Sequence, residues 1–236
     1  MNILITGGSR GIGAAIARAV AGPGTRVVLN FLQNEAAAVG VAAEVVALGG
    51  EALSVQGDVR SEPDLKRLAD AAGPLDALIH NAAVGVMKPY DKIRTSQWDL
   101  TLESSLRPFW LLTKLATLRP GASVIGITSL GSRQYTPGYA AIGAAKAGME
   151  ALTRQLAVEL APAVRVNTVC GGLVRTDALR YFPEGEQMVA AAEKLTPMRR
   201  VGEPDDIARV VSLLLDPRAS WITGQVIVAD GGLSLV

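Results

Sequence analysis

The alternation of short apolar runs with longer Ala-rich segments constrains the fold of this sequence more than any other feature. The runs are rich in β-branched residues and apolar on both faces, which is typical of strands buried inside a parallel sheet. They are Asn2–Thr6, Arg26–Asn30, Ala52–Gln56, Ala77–His80, Ser123–Thr128, Val164–Val169 and Gln225–Val228. Helical patterns lie between them, near residues 11–22, 34–48, 61–72, 95–118, 139–161 and 204–215. This order, with right-handed crossovers, predicts an α/β fold with a doubly wound parallel sheet and helices on both faces.

The 236 residues are predicted to form a single domain, because α/β folds of this length often do so and 49% of the residues are apolar. The least regular stretch is about 171–203, which follows the sixth strand and contains several glycines and prolines. Ligands of such sheets bind outside the carboxyl ends of the strands. This stretch is therefore a candidate segment for covering a substrate.

Charge and composition argue against several classes of function. The net charge is +1 and no block of Lys and Arg runs along the chain, so nothing favours binding to nucleic acid or to an anionic membrane. Cys170 and His80 are the only residues of their types, which leaves neither an internal disulfide nor a metal-ligand cluster. The N-terminal sequence lacks the regions of a signal peptide, and no apolar run is long enough to cross a bilayer. We therefore expect a cytoplasmic protein without a metal.

A glycine-rich loop follows the first strand directly and leads into a helix. Its sequence is Thr6-Gly7-Gly8-Ser9-Arg10-Gly11-Ile12-Gly13. Gly7 permits a tight turn, Gly11 lets the backbone approach a pyrophosphate, and Gly13 allows close packing of helix on strand. The unpaired N–H groups and positive dipole end of the helix attract phosphate. In this strand–loop–helix context the loop predicts dinucleotide binding on a Rossmann-type domain.

The residues at the end of the second strand bear on which dinucleotide binds. NAD-binding proteins often place an acidic residue there to bind the ribose hydroxyls. The segment from Val28 to Gln33 has Asn30 instead, and no carboxylate to repel a 2′-phosphate. Ser9 and Arg10 add a hydroxyl and a cation in the loop, which favours NADPH. The alternative interpretation is that Arg10 is only a solvated surface cation with no role in cofactor choice.

Further motifs, in the same order, resemble those of the short-chain dehydrogenase/reductase superfamily from end to end. Gly57-Asp58-Val59 resembles the segment that contacts adenine, His80-Asn81-Ala82-Ala83 resembles Asn-Asn-Ala-Gly, and Asp230-Gly231-Gly232 matches the usual ending. The stretch from Asn167 to Thr176, which includes Gly172 and Val174, resembles Asn-x3-Pro-Gly-x3-Thr. The resemblance implies that Asp58, Val59, Asn81 and Ala82 line the cofactor, and that Gly172, Val174 and Thr176 lie at the nicotinamide. His80 is predicted to be structural.

The superfamily usually carries Tyr-x3-Lys on the fifth helix, with a serine upstream. The lysine here is Lys146, but Ile142 stands four residues before it and has no acidic proton. Tyr139 precedes Lys146 by seven residues. Seven helical residues turn through about 700°, so the two side chains would share a face about 10.5 Å apart along the axis, against about 6 Å for a spacing of four.

This displacement of the hydroxyl has a chemical interpretation. In ketone reduction the oxygen that needs a proton is one bond from the carbon that accepts hydride. In reduction of an enoyl thioester, hydride goes to Cβ and the charge develops on the thioester oxygen, three bonds away. Tyr-x6-Lys resembles the enoyl-acyl-carrier-protein reductases of the superfamily, and the conventional glycine loop is similar to that of their NADPH-dependent branch.

The resemblance implies that Tyr139 stabilises the enolate oxygen and that Lys146 binds the nicotinamide ribose and favours the developing anion. Ser129 matches the family serine and either orients the substrate or Tyr139, or only satisfies backbone groups at a strand end. Tyr135 is a second phenol, expected to pack beside the site. The implied substrate is a thioester of acyl carrier protein or of coenzyme A, in fatty acid elongation.

Two other functions compete with enoyl reduction. One is a carbonyl reductase such as 3-oxoacyl-acyl-carrier-protein reductase, which would use Tyr139 or Tyr135 in an unusual geometry. The other is an inactive NADPH-binding sensor or scaffold. Ile142 favours both alternatives, whereas the pairing of Tyr139 with Lys146 counts against them. The resemblance also implies a homotetramer with isologous contacts.

Overall fold

The computed structural model describes residues 1–176 and 185–236, in which seven strands alternate with seven α-helices. The strands are β1 (Asn2–Ile5), β2 (Arg26–Phe31), β3 (Glu51–Gln56), β4 (Leu75–His80), β5 (Leu118–Ser129), β6 (Val164–Gly171) and β7 (Val226–Ala229). The helices are α1 (Gly11–Val20), α2 (Glu35–Ala47), α3 (Glu62–Ala72), α4 (Thr95–Leu115), α5 (Ala140–Glu159), α6 (Gly185–Leu195) and α7 (Pro204–Leu215).

All seven strands form one parallel sheet, in the order β3-β2-β1-β4-β5-β6-β7. Strand β1 is central: Ile3 pairs with Val27 of β2 on one side and with Ala77 of β4 on the other. The order of strands reverses between β1 and β4, and ligands of doubly wound sheets bind outside this point. The predicted Rossmann-type fold, in a single domain, is confirmed.

The sheet separates two hydrophobic cores, because successive side chains of a strand point to opposite faces. Along β1, Ile3 and Ile5 join the core that α1 and α7 cover. Leu4 joins the core on the other face, where Phe109 of α4 and Met149 of α5 pack. All of these side chains are almost completely buried. The helices α4 and α5 therefore have a fixed base, and α5 carries the candidate catalytic residue Lys146.

Some predicted boundaries differ from the structure. The stretch 171–203 is more regular than expected, because it contains α6, which begins at Gly185 and ends at Leu195, before Pro197. Its residues 177–184 lie outside the described residues, and covering of a substrate by this stretch stays a prediction. Strand β5 begins at Leu118, before Pro120 and Gly121, and not at Ser123. Helix α5 begins at Ala140, so Tyr139 is its N-cap and not a helical residue.

Neither a transmembrane helix nor a metal cluster is found in the described residues. No helix there has both the length and the apolar character that a membrane span needs. No group of three or more His, Cys, Asp or Glu side chains in residues 1–176 and 185–236 is arranged to hold a metal ion.

Two glycines in helices make a matched test of this packing. A Cβ at Gly13 would overlap the carbonyl oxygen of Gly7 and lie 2.6 Å from Asn81 Nδ2, whereas a Cβ at the exposed Gly40 of α2 meets nothing within 4 Å. We expect Gly13→Ala to lower the free energy of unfolding by about 1–3 kcal/mol through overpacking. We expect Gly40→Ala to raise it by about 0.5–1 kcal/mol, because alanine loses less backbone entropy in a helix. Denaturant unfolding of both variants measures the difference, and equal effects would contradict the close contact of α1 with the loop.

Candidate active site

Hydrogen bonds between the ends of β1 and β4 hold the glycine-rich loop in place. The Thr6 hydroxyl accepts from the backbone N–H groups of Asn81 and Ala82, each at 3.1 Å. The Asn81 amide donates to the carbonyl oxygens of Thr6 at 3.1 Å and Gly7 at 3.0 Å. Asn81 thus joins the two strand ends, and Thr6 is its partner.

The loop presents the start of α1 to an open cavity. Gly7 and Gly11 have positive φ angles of 63° and 55°, which only glycine adopts without strain. The N-cap residue Arg10 makes no side-chain cap hydrogen bond, so no cap competes for the first N–H groups of the helix. Gly11 and Ile12 line the cavity. These features fit the phosphates of a dinucleotide, because they supply N–H donors and a close backbone approach.

The cavity has a volume of about 550 Å³ and collects most of the residues predicted to bind the cofactor. Those that line it are Gly7, Ser9, Arg10, Gly11, Ile12, Asn30, Asp58, Val59, Asn81, Ala82 and Thr176. Gly13 is buried behind the loop. The cavity follows the carboxyl ends of β1 to β4, where a dinucleotide binds in this fold.

Asn30 has a bracing role that its position in the sequence did not reveal. It is buried, and its amide Nδ2 donates to the Gly57 carbonyl at 2.9 Å while its Oδ1 accepts from Gly7 N at 3.4 Å. Its backbone carbonyl accepts from Gly8 N at 2.9 Å. Asn30 therefore ties the glycine loop to the segment after β3. It lines the cavity while its side chain is already engaged in these bonds.

Arg60 is a cavity residue that the sequence analysis missed. Its guanidinium binds both carboxylate oxygens of Asp58, and Nε lies 3.0 Å from each of them. This hydrogen bonding lowers the pKa of the Asp58 carboxyl below its ordinary value. Among the described residues that line the cavity, Asp58 is the only carboxylate, and Arg60 offsets its charge. The two residues are close in the chain, so a charge pair two positions apart at a strand end is the signal that points to them.

The segment 172–176 lies beside the end of β6 and is held by contacts with two other parts of the chain. Gly172 packs against Asp230, where a Cβ would lie 2.9 Å from the aspartate Cβ. Val174 forms an isolated parallel bridge with Gly202. Thr176 reaches the cofactor cavity, where its side chain lies near Gly11. These contacts position Thr176, and the roles of Gly172 and Val174 toward the nicotinamide stay predictions.

Lys146 lies on the second turn of α5 and is buried against the end of β5. Its ammonium donates to the carbonyl oxygen of Ile127 at 2.8 Å. Burial lowers its pKa to about 8, so it remains largely charged at neutral pH. The ammonium also lies 3.9 Å from Met149 Sδ, a weak acceptor. Because an ammonium has three N–H donors, at least one stays available for a further partner.

Tyr139 lies where β5 and α5 approach each other, and its phenol is close to Ser129. Burial raises the pKa of this phenol above its ordinary value, while the nearby Ser129 hydroxyl acts in the opposite direction. Its ring rests on Gly131, where a Cβ would overlap the ring Cδ1 and lie 2.5 Å from Cε1. The structure thus brings Tyr139 and Ser129 together and keeps the phenol protonated at neutral pH. Tyr135, by contrast, is 88% exposed.

Ile142 occupies the position of the usual family tyrosine. It packs on Gly85, where a Cβ would overlap Ile142 Cγ1 and lie 2.9 Å from Cδ1. The segment after β4 lines the cofactor cavity as far as Val84 and lines a second cavity from Lys88 onward. Tyr139 lines this second cavity, which has a volume of about 600 Å³. Along this segment, the contact of Ile142 with Gly85 therefore falls between the two cavities.

Comparison with known proteins identifies the family. Residues 7–234 match the family model described as "Enoyl-(Acyl carrier protein) reductase". The chain is 37% identical to 1-cyclohexenylcarbonyl-CoA reductase of Streptomyces collinus, over 99% of this chain and 86% of that protein. It is 35% identical to a 3-oxoacyl-[acyl-carrier-protein] reductase of Synechocystis, over 98% and 95%. The chain belongs to the short-chain dehydrogenase/reductase superfamily.

A solved structure supports the same assignment. A short-chain dehydrogenase of Burkholderia cenocepacia J2315, in complex with NADP, superimposes with a TM-score of 0.91 at 30% sequence identity. The match covers 99% of this chain and 97% of that one. The chain is thus an oxidoreductase of this superfamily, which the matching fold and sequence support over nearly its full length.

The pKa of His80 reports whether water reaches the protein interior beside the site. It is the only histidine, is 4% exposed, and meets the Phe109 ring edge-on at 5.1 Å between centroids. Burial lowers its pKa to about 3, so it should stay neutral at all pH values from 5 to 8. Because the folded pKa lies below the unfolded one, its contribution to stability is present above pH 6.5 and falls as the pH drops toward 3. The single histidine resonance in an NMR titration should not shift between pH 5 and 8, and a midpoint near 6.5 would contradict this burial.

Proposed function

We propose that this chain reduces the 2,3-double bond of enoyl-acyl-carrier-protein thioesters, with NADPH as the reductant, in fatty acid elongation. The observation that carries the proposal is the position of the buried phenol. Tyr139, beside Ser129, precedes Lys146 by seven residues, and the usual tyrosine position holds Ile142, which cannot give a proton. An acid set further from the hydride donor suits a substrate whose charge develops three bonds from the reacting carbon.

The cofactor residues support NADPH. The cavity would hold a dinucleotide with its phosphates at Gly11 and Ile12, and Ser9 and Arg10 line the same cavity beside the end of β2. A cation and a hydroxyl there favour a 2′-phosphate, because hydrogen bonds between charged partners are the stronger ones. Arg60 also offsets the one carboxylate among the described lining residues. When bound, NADPH would supply the hydride for the reaction.

The protein side chains would manage the charge that hydride transfer creates on the thioester oxygen. Hydride adds to Cβ, the electron pair of the double bond moves toward the carbonyl, and an enolate oxygen forms. The protonated Tyr139 phenol donates a hydrogen bond to that oxygen, and the buried Lys146 ammonium favours the negative charge. A proton from water then adds to Cα as the enolate C=C electron pair forms the new C–H bond, which completes the saturated thioester. Ser129 orients the Tyr139 hydroxyl in this arrangement.

The names of two relatives support different substrates. The Streptomyces relative is named for reducing a coenzyme A thioester with a ring double bond next to the carbonyl, which is the chemistry proposed here. The Synechocystis relative is named as a 3-oxoacyl reductase, so a carbonyl substrate is the second candidate. Ile142 favours the first, since a ketone oxygen beside it would have no proton donor at that position. Coenzyme A as carrier, a homotetramer and a cytoplasmic location stay predictions.

Cofactor titration tests the preference for NADPH. We expect NADPH to bind more tightly than NADH, and Arg10→Gln to weaken NADPH binding by about tenfold or more while leaving NADH binding unchanged. Arg209→Gln, on the exposed face of α7, is the matched control and should change neither. Fluorescence titration of each protein with both cofactors measures the dissociation constants. Equal affinity of the wild type for the two cofactors would contradict the assignment.

Substrate comparison tests the reaction. We expect the wild type to oxidise NADPH faster with crotonyl-thioester than with acetoacetyl-thioester. Tyr139→Phe keeps the ring on Gly131 and removes only the hydroxyl, so kcat should fall about 10²–10³-fold while NADPH binding stays intact. Lys146→Met should impair both binding and turnover, because the ammonium serves both.

Tyr135→Phe is the control for Tyr139→Phe, because Tyr135 is exposed and should tolerate the change with little loss of rate. The proposal is wrong if Tyr139→Phe retains near-normal crotonyl-thioester reduction. It is also wrong if the wild type reduces acetoacetyl-thioester far better than crotonyl-thioester, in which case the carbonyl reductase is correct.

A further inference from the structure

Glu150 is a buried carboxylate on α5 with no part in the reaction described above. Its side chain is 7% exposed and lies one turn beyond Lys146. It accepts hydrogen bonds from the hydroxyls of Thr128 at 3.1 Å and Ser132 at 2.6 Å, and from Arg133 Nε at 3.0 Å. A buried charge is costly unless it is paired and hydrogen-bonded, and these three donors meet that requirement.

The three donors all belong to one short stretch of chain, at the end of β5 and in the turn that follows it. The turn is the 3-10 segment Leu130–Ser132, and Ser129 immediately precedes it. One carboxylate on α5 therefore binds this stretch both before and after Ser129. Arg133, which is 45% exposed, covers Glu150 from the solvent side.

The same turn forms the surface on which Tyr139 rests. Gly131, at the middle of the turn, contacts the Tyr139 ring so closely that a Cβ would overlap it. The carbonyl oxygen of Gly131 also approaches Gly143 on the first turns of α5, where a Cβ would lie 2.6 Å from it. A shift of the turn toward the ring would therefore displace Tyr139, and a shift away from it would remove the surface on which the ring rests.

We propose that Glu150 is a positioning residue, which fixes the Tyr139 phenol by binding the Leu130–Ser132 turn to α5. The inference rests on the proposed function for its effect on rate. Lys146 and Glu150 lie on the same helix, and Tyr139 is its N-cap. The carboxylate thus sets the distance between the phenol and the lysine by closing the turn onto that helix.

Glu150→Gln is the principal variant, because glutamine keeps the shape and one acceptor oxygen but loses the charge that binds Arg133. Arg133 is half exposed, so water can solvate it in this variant. Ser132→Ala is the milder second variant, since it removes only the 2.6 Å hydrogen bond. Glu159→Gln is the control, because Glu159 is an exposed glutamate on the same helix.

The first measurement is a double-mutant cycle in kcat for crotonyl-thioester reduction. We expect Glu150→Gln to lower kcat about tenfold with NADPH affinity unchanged, and Ser132→Ala to lower it less. In the Tyr139→Phe background, Glu150→Gln should have little further effect, because both changes act through one hydroxyl. An equal loss in both backgrounds, or no loss in either, would overturn the proposal.

The second measurement needs no activity and separates this proposal from the proposed function. The Cζ resonance of Tyr139 in ¹³C-tyrosine-labelled protein, assigned with Tyr139→Phe, reports the pKa of the phenol. We expect Ser132→Ala, which keeps every charge, to lower that pKa toward the ordinary value, because a displaced ring gains contact with water, and Glu159→Gln to leave it unchanged. An unchanged pKa in Ser132→Ala would overturn the positioning role. If the wild-type protein does not reduce enoyl thioesters but the pKa shift is observed, only the assigned reaction is overturned.

Discussion

The site depends first on the hydrogen bonds that join β1 to β4 at the point where the strand order reverses. The Thr6 hydroxyl accepts a hydrogen bond from the Asn81 backbone, and the Asn81 side chain donates to the carbonyl oxygens of Thr6 and Gly7. The glycine loop therefore cannot move independently of the segment that follows β4. Gly13 packs against Gly7 and Asn81 and leaves no room for a side chain. The cofactor cavity is therefore part of the packed sheet and not a feature of a mobile loop. Such a site is held by rigid elements, which favours a fixed geometry for hydride transfer.

The fold and the glycine loop could be predicted because their signals are local. Strand runs and helix periodicity depend on residues within a few positions, and the order of elements then leaves few topologies. Boundaries were less accurate where glycine or proline stood near an element, as at Pro120 and Gly121 in β5. Helix α6 shows the same limit, since Gly185 and Pro197 suggested a loop, whereas Gly185 is the first residue of a helix that ends at Leu195.

The less predictable parts of the site are contacts between distant residues. The predicted pairing of Tyr139 with Lys146 rested on their spacing in a helix, whereas Tyr139 is the N-cap of α5. Glu150 belongs to no motif in the sequence, and only the folded chain brings Thr128 and Ser132 to it. Arg60 was not predicted, because a cation for the cofactor was expected only near the end of β2. The third strand also ends at this cavity. In each case the contact depends on tertiary packing, which the periodicity of the sequence does not report.

The replacement of the usual tyrosine by Ile142 is coupled to the backbone opposite it. Gly85 has no side chain, and the space that a Cβ would need there is filled by Ile142. A phenol at position 142 would need more room than Ile142 takes and would press on the segment that also lines the cofactor cavity. Overpacking of this kind forces either an unfavourable rotamer or a backbone shift. Residues 85 and 142 therefore form a matched pair, and in the proposed reaction the acid comes instead from the N-cap, where Gly131 provides room for an aromatic ring. In this proposal, the position of the acid depends on which glycine contact, at Gly85 or at Gly131, receives the phenol.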